Sequence, residues 1–183
     1  MSPEFEAKPK PRIVETTLYD IPAYRGFHAK SWLDTYPNEE VGVERQWVAD
    51  RVATWTTPEA IAKSREFVAP ILASDAHFHR LAKAGDEVVG LAHASNENSH
   101  QHIEAIYIDK DYQGTGLAQE MMGQMLDWLD CSKDVTLEVV SYNDRAIRFY
   151  NKYGFEIVPD SDHLFLDKIP TVNMIRKGLK DEI

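Results

Sequence analysis

The sequence is poor in cysteine and has no long hydrophobic run. Cys131 is the single thiol among 183 residues, which excludes an intrachain disulfide and a thiol-rich metal site. Scarce cysteine also fits a reducing compartment, so the expected localisation is cytoplasmic. No apolar stretch approaches the roughly 20 residues that cross a bilayer, so we expect no membrane span and no membrane partner.

The chain also lacks an excess of positive charge. Lysine and arginine total 20 against 30 aspartate and glutamate, which gives a formal net charge of −10. A nucleic-acid-binding domain normally carries a basic patch, so we expect no nucleic-acid partner. The acidic balance suits a cationic substrate, but many proteins are acidic for solubility alone, and the charge does not choose a ligand.

The length favours one domain with a sizeable core. Residues 1–11 are polar and proline-rich and lack periodicity, so we interpret them as a flexible tail. The remainder, residues 12–180, contains no linker or repeat. We therefore predict a single domain over 12–180.

The chain is organised around a strand, a glycine turn and a helix between His102 and Leu129. Residues 102–108 alternate in the manner of a half-buried strand, and the apolar residues after Gly116 recur at helical spacing. Glycines between a strand and a helix let backbone N–H groups converge on one point, where the helix dipole adds positive potential. The hexapeptide QGTGLA at 113–118 therefore predicts a phosphate or pyrophosphate site.

The other patterns predict a helical N-terminal part followed by strands. Asp20 is expected to cap the first helix, and Thr57 to begin a third helix that Pro70 disturbs. A turn at Gly85-Asp86 favours a hairpin. The strands are expected at 12–18, 78–84, 87–95, 102–108, 135–140, 155–158, 164–166 and 171–176, with helical patterns at 20–33, 43–55, 57–68, 117–129 and 143–153.

Spacing separates the glycine turn from two better-known phosphate loops. No Lys-Ser/Thr pair follows Gly116, so the turn is not a P-loop, and Gln119 stands where a dinucleotide fingerprint needs its third glycine. A nucleotide-binding protein of another kind stays open as an alternative. The hexapeptide does fit Q/R-x-x-G-x-G/A, the pyrophosphate loop of the GNAT acetyltransferase superfamily.

A second motif strengthens this resemblance. The segment 137–155, LEVVSYNDRAIRFYNKYGF, is similar to the other GNAT signature, a strand followed by N-x-x-A-x-x-x-Y-x-x-x-G-F. The resemblance covers about residues 78–177 and includes small bacterial polyamine acetyltransferases. It implies an α/β (α+β) fold with a mixed, mostly antiparallel sheet of about seven strands, flanked by helices and splayed between its central strands.

The resemblance also implies where acetyl-CoA would bind. Asn143 is in any case a good helix N-cap, but its counterpart in the family bonds to the cofactor near the pantetheine arm. The backbone at the end of the central strand would pair with pantetheine as another strand does. The cofactor-binding positions implied are Ile106, Ile108, Gln113, Gly114, Thr115, Gly116, Leu117, Ala118, Asn143 and Tyr150.

The chemistry expected by resemblance needs an acid and a base. Tyr150 occupies the position of the family tyrosine that protonates the leaving thiolate. For the base, which deprotonates the incoming amine, the sequence offers Glu104 and His102, with water alone as the third possibility, and the choice among them stays open. Period two along a strand predicts that both side chains share a face with Ile108.

Together these features predict an acetyl-CoA-dependent N-acetyltransferase that acts on the primary amine of a small molecule, a polyamine being one candidate, by direct attack in a ternary complex. The alternatives are a non-catalytic CoA-binding regulatory module and a protein N-terminal or lysine acetyltransferase.

His93, His100 and His102 lack metal-ligand spacing, so no metal is expected. Dimers are frequent in the family, which favours a homodimer. Trp32, Tyr36, Trp47 and Trp55 are interpreted as core residues, with a role in the acceptor pocket as the alternative.

Overall fold

The computed structural model of the chain describes residues 9–179. Most of the predicted tail, residues 1–8, and residue 180 of the predicted domain lie outside the described part. The strands are Arg12–Glu15 (β1), His77–Ala84 (β2), Glu87–Glu97 (β3), His100–Ile108 (β4), Val135–Val140 (β5), Glu156–Ile157 (β6), His163–Phe165 (β7) and Ile169–Arg176 (β8). The helices are Ile21–Thr35 (α1), Arg45–Val52 (α2), Pro58–Leu72 (α3), Leu117–Trp128 (α4) and Asp144–Asn151 (α5).

The described strands form one eight-stranded sheet in the order β1-β2-β3-β4-β5-β8-β6, with β7 also paired to β8. Among them β4 and β5 run parallel, and the other pairs are antiparallel. Helix α4 makes the crossover from β4 to β5, which a parallel pair requires. The predicted mixed, mostly antiparallel sheet with flanking helices is thereby confirmed.

The sheet opens between its two central strands. Strands β4 and β5 pair only where Gln101–Ile103 faces Val135–Leu137. Beyond Ile103 no residue of β4 pairs with β5, and residues 105–108 pair with β3 alone. The splay leaves strand backbone without a neighbour on one side, and a cleft forms there.

A β-bulge in β4 decides which side chains face which side of the sheet. His93 pairs with Ala105 while Ala94 pairs with Ile103, so Glu104 is the extra residue that has no partner on β3. The bulge inverts the alternation: Ile103, Ile106 and Ile108 all pack toward α4, although their numbers differ in parity. The prediction that His102 and Glu104 share a face with Ile108 is therefore wrong, since regular period two fails across a bulge.

Two faces of the sheet carry separate cores. Helices α4 and α5 cover one face, where Met121, Met122 and Met125 are fully buried against the sheet. Helix α1 covers the other, and its Ile21 and Phe27 pack against β2 and β3. The cleft lies where these two layers meet the splayed strands. No helix in residues 9–179 has the length and apolarity to cross a bilayer.

Two local expectations need correction. Asp20 precedes α1, but its carboxylate accepts hydrogen bonds from the backbone and hydroxyl of Thr17 and binds Lys83, so it does not cap the helix. Pro70 lies inside α3, which continues to Leu72. Proline deprives the carbonyl of Glu66 of its donor, but both residues lie on the exposed side of the last turn, where water can replace the bond.

Candidate active site

The open centre of the sheet forms a cleft with a volume of about 930 Å³. Its walls come from α1, β4, the glycine turn, β5 and α5. Nine of the predicted site residues line it: His102, Glu104, Ile106, Ile108, Gln113, Gly114, Ala118, Asn143 and Tyr150. The lining does not include Thr115, Gly116 or Leu117. Leu117, the first residue of α4, is buried in the core, and the other two form the turn.

The glycine turn has the geometry of an anion site. Gly114 and Gly116 have φ angles of +77° and +94°, which glycine adopts without strain. Gly116 is the residue before α4, whose first-turn N–H groups have no acceptor inside the helix. The Thr115 hydroxyl donates to the carbonyl of Tyr112 at 2.6 Å and fixes the turn. Free N–H groups at the positive end of a helix fit a pyrophosphate.

Gln113 fastens this turn to its neighbours. Its Nε2 donates to the carbonyl of Ile108 at 3.1 Å, at the end of β4, and its Oε1 accepts from Arg145 on α5. Arg145 lines the cleft and adds a guanidinium beside the turn, where it can pair with phosphate. Sequence reasoning missed Arg145. Arg145 lies two residues after Asn143, the N-cap of α5, and this closeness to a predicted cofactor-binding residue could have indicated it.

Asn143 is the N-cap of α5, as its residue type suggests. Its Oδ1 accepts from the backbone N–H of Ala146 at 3.1 Å. The amide NH₂ has no partner among residues 9–179, and the residue lines the cleft. Capping thus uses the oxygen and leaves two N–H donors for a ligand.

Tyr150 projects from α5 into the floor of the cleft. Its side chain is buried between Phe149 and Phe155, and burial raises the pKa of its phenol, as does nearby Tyr36. The phenol is therefore protonated at neutral pH. Its hydroxyl bonds to none of residues 9–179. Among residues 9–179, Nδ1 of His28 is the one side-chain polar atom that is fully buried and has no hydrogen-bond partner. The Tyr150 hydroxyl also has no partner, so it is not fully buried, and it opens to the cleft.

The two candidate bases lie on the α1 side of the cleft. Glu104 is exposed at the bulge, and its Oε1 accepts from the hydroxyl of Ser95 at 2.9 Å. The Nδ1 atom of His102 lies 2.9 Å from the hydroxyl of Thr136. The second carboxylate oxygen of Glu104 accepts no hydrogen bond from residues 9–179, so it is free to take a proton.

An aromatic wall on α1 and β4 lines one side of the cleft. The hydroxyls of Tyr36 and Tyr107 lie 2.7 Å apart, and Trp32 donates its indole N–H to Nε2 of His28 at 3.0 Å. Trp32 and Tyr36 line the cleft and also belong to a packed cluster, so they are both core and wall. Tyr107 and His28 are wall residues that the sequence did not single out. The other two predicted core tryptophans, Trp47 and Trp55, pack behind the wall.

Buried histidines predict a stability that falls in acid. Burial lowers the pKa of His28 to about 3 and those of His79 and His93 to about 4. Each would have a pKa of about 6.5 in the unfolded chain, which therefore binds more protons below that pH, and stability rises with pH there. We expect the thermal midpoint to fall steadily as the pH drops from about 6.5 to about 4.

Thermal unfolding at a series of pH values measures this dependence. His79→Gln should flatten it, whereas His100→Gln, on an exposed side chain of β4, should leave it unchanged. A midpoint that rises with acid over this range would contradict the burial of neutral imidazoles.

The comparisons with known proteins agree with this geometry. The chain is 31% identical over 81 residues to the peptidyl-lysine N-acetyltransferase YjaB of Escherichia coli, covering 44% of this chain and 53% of that protein. It is 31% identical over 71 residues to the spermine/spermidine N(1)-acetyltransferase of Bacillus subtilis, covering 37% of this chain and 46% of that protein. The chain thus spans about half the length of the curated relatives it matches.

The fold has counterparts among solved structures. The PaiA N-acetyltransferase of Thermoplasma acidophilum, in complex with coenzyme A, superposes with a TM-score of 0.70 at 14% identity, covering 91% of this chain and 98% of that one. The model of the acetyltransferase (GNAT) family matches residues 28–155. That match includes both the glycine turn and the motif around Tyr150, and it extends over more than half of the sequence. The chain therefore belongs to the acetyltransferase (GNAT) family of acyltransferases.

Proposed function

We propose that the protein transfers the acetyl group of acetyl-CoA to a primary amine of a small molecule, by direct attack in a ternary complex. The observation that carries the proposal is one cleft that joins an anion-binding turn, an open pair of strands, a protonated phenol and a carboxylate. A non-catalytic CoA-binding module would need the turn and the strands only. The free hydroxyl of Tyr150 and the unpaired oxygen of Glu104 favour catalysis.

The donor half would hold acetyl-CoA through the main chain. The N–H groups of 114–118 receive the pyrophosphate, and Arg145 adds a positive charge beside them. The unpaired edge of β4 at Ile106 and Ile108 faces the gap toward β5, where a pantetheine amide can pair with backbone N–H and C=O groups. The amide of Asn143 provides a further donor on the opposite wall.

Glu104 and Tyr150 would each carry out one of the two proton transfers of the reaction. Glu104 removes a proton from the acceptor ammonium, so that the amine nitrogen gains the lone pair that forms the new C–N bond. Tyr150 gives its phenolic proton to the departing sulfur, or donates a hydrogen bond to it, as the C–S bond breaks. His102 is the alternative base; its Nδ1 is already engaged with Thr136, which makes it the weaker candidate.

A cationic acceptor such as a polyamine suits the other half of the cleft. Its walls combine aromatic rings, which attract ammonium groups, with the carboxylates of Glu104 and Glu138. One curated relative is named for spermine and spermidine and another for peptidyl-lysine, so a lysine side chain is the second candidate. Both acceptors present a primary ammonium on an aliphatic chain, and the proposal extends to that class. A homodimer remains a prediction.

Calorimetric titration with acetyl-CoA, and with ATP as control, tests the donor assignment. We expect micromolar binding of acetyl-CoA alone. Thiol release would then be followed with spermidine, spermine and a lysine peptide, and turnover with an amine is the expected result. Binding of acetyl-CoA without turnover on any amine would favour the regulatory module, and stronger binding of ATP would favour an unrelated nucleotide site.

The base is tested by comparing Glu104→Gln with His102→Gln. We expect Glu104→Gln to lower kcat by about a hundredfold at neutral pH, because its amide cannot accept the ammonium proton. The deficit should shrink as the pH approaches the pKa of the amine, about 10, since the substrate then arrives deprotonated. His102→Gln should keep most of the activity. The opposite order of effects would assign the base to His102.

A further inference from the structure

A row of histidines extends from the cleft across the sheet to its outer surface. His93 on β3 lines the cleft, whereas His77 on β2 does not. The Nε2 atom of His93 lies 3.3 Å from Nδ1 of His77, and Nε2 of His77 lies 3.1 Å from Oε1 of Glu97. The Glu97 side chain is 60% exposed, and that of His77 is 12% exposed. The row therefore connects the cleft to bulk water through two imidazoles.

The inner end of the row is open to the cleft. Nδ1 of His93 has no hydrogen-bond partner among residues 9–179. An atom without a partner that was also fully buried would resemble Nδ1 of His28, which is the one such atom in residues 9–179. Nδ1 of His93 is therefore not fully buried. A neutral imidazole with an open nitrogen in a cleft can accept a proton from a neighbouring acid or from water.

Several charged or titratable groups face these imidazoles. The pKa of His93 is lowered by burial and by His79, His77 and His102, and is raised by the carboxylate of Glu104. His79 lies beside the row and not in it, because its Nδ1 is engaged by the hydroxyl of Thr16 at 2.7 Å and its ring is tilted against that of His93, with the centroids 5.0 Å apart. Glu104 and His93 also line the same cleft, and the Glu104 carboxylate accepts from the hydroxyl of Ser95, which lies two residues from His93 along β3 and therefore on the same face of that strand. A proton on Glu104 would pass from there to His93.

We propose that His93, His77 and Glu97 form a proton relay that carries the proton removed from the acceptor amine out of the cleft to solvent. This proposal rests on the function proposed above. It concerns the exit of the proton after Glu104 has accepted it, which the acid and base assignments leave open. Glu104 is exposed in the free protein, so the relay acts while bound substrate covers Glu104 and separates it from water.

Each transfer conserves protons and electrons. The O–H bond of Glu104 breaks as an N–H bond forms at Nδ1 of His93, and the proton on Nε2 of His93 passes to Nδ1 of His77. The proton on Nε2 of His77 passes to Glu97, which releases it to water. The resting relay therefore has its protons on Nε2 of both imidazoles, with each Nδ1 as acceptor. Exchange with water resets the tautomers between turnovers.

The resting tautomers can be measured without any substrate. Nitrogen-15 NMR of the imidazoles in the free protein should show both His93 and His77 protonated at Nε2. A proton on Nδ1 of His93 would block entry from the cleft and overturn the relay. Because this readout does not depend on turnover, it tests the relay even if no amine is acetylated.

His77→Gln tests the relay in turnover, because an amide can hydrogen-bond but cannot pass a proton on. We expect kcat to fall about tenfold near neutral pH, with the KM for acetyl-CoA unchanged. The deficit should disappear as the pH approaches the pKa of the amine, about 10, and added imidazole should restore part of the lost rate. Glu97→Gln should have a smaller effect, since water reaches His77 directly.

His79→Gln is the matched control, because it changes the neighbouring imidazole on the same strand that lies off the relay. Its kcat should equal that of the unaltered protein wherever its thermal midpoint is also unchanged. A His77→Gln deficit that is independent of pH and insensitive to imidazole would indicate a structural role and overturn the relay, as would full activity. If the unaltered protein acetylates no amine, the proposed function fails, and the tautomer spectra still decide whether the relay exists.

Discussion

Replacing Tyr150 by phenylalanine is expected to lower kcat by about 10²–10³-fold and to leave the affinity for CoA nearly unchanged. The substitution removes one hydroxyl and keeps the ring between Phe149 and Phe155. That hydroxyl bonds to no residue in 9–179, so its loss leaves no protein group unpaired. Stability should therefore be preserved while the proton donor of the leaving thiolate is lost.

Tyr153→Phe is the control for this experiment. Tyr153 follows α5 by two residues, packs on Phe149 and lies outside the cleft lining. The same chemical change there should alter neither kcat nor the thermal midpoint. Steady-state kinetics, CoA titration and thermal unfolding of both variants separate the cases. If Tyr150→Phe turned over as fast as the unaltered protein, another donor would protonate the sulfur.

The pH profile gives Tyr150→Phe a second signature. Burial raises the pKa of the Tyr150 phenol, so the proton donor is intact throughout the range in which the protein is assayed. The deficit of the variant should therefore be constant with pH, in contrast to the deficit of Glu104→Gln, which should shrink in alkali. A Tyr150→Phe deficit that vanished in alkali would instead link the phenol to deprotonation of the amine.

The glycine turn and the motif around Tyr150 could be predicted from the sequence because each is formed by nearby residues with a characteristic spacing and local geometry. A strand, two glycines and a helix start fix the direction of several N–H groups within about six residues. The same holds for Asn143, whose residue type predicts the cap that the structure has. Features that depend on consecutive residues are the ones a single sequence can reveal.

The sequence could not predict which side chains of β4 face which side of the sheet, because that depends on how β4 pairs with β3. Nothing in residues 100–108 signals that Glu104 is skipped in the ladder, and regular alternation then assigns His102 and Glu104 to the wrong side. Arg145 and Tyr107 were missed, and His93 was considered only as a metal ligand, for a related reason. Each reaches the cleft through the packing of elements far apart in sequence, and each is an ordinary residue of its own helix or strand.

Gly116→Val is expected to weaken acetyl-CoA binding by at least tenfold. Gly116 has a φ of +94°, where a β-branched residue costs on the order of 1–3 kcal/mol, and relief of that strain would rotate the N–H groups at the start of α4. A Cβ at this position would meet no protein atom within 4 Å, so steric conflict inside the protein is not the cause. The loss should therefore come from the altered turn and from a side chain placed beside the pyrophosphate.

Gly123→Val is the matched control, because a Cβ at Gly123 also meets no atom within 4 Å and Gly123 lies inside α4, the helix that Gly116 precedes. Gly123 is helical, so valine is tolerated there, and CoA affinity should stay unchanged. Calorimetry of both variants, with thermal midpoints, gives the comparison. If Gly116→Val bound acetyl-CoA as tightly as Gly123→Val, the pyrophosphate would not lie on the glycine turn, and Arg145 with the α5 N-terminus would be the next anion site to test.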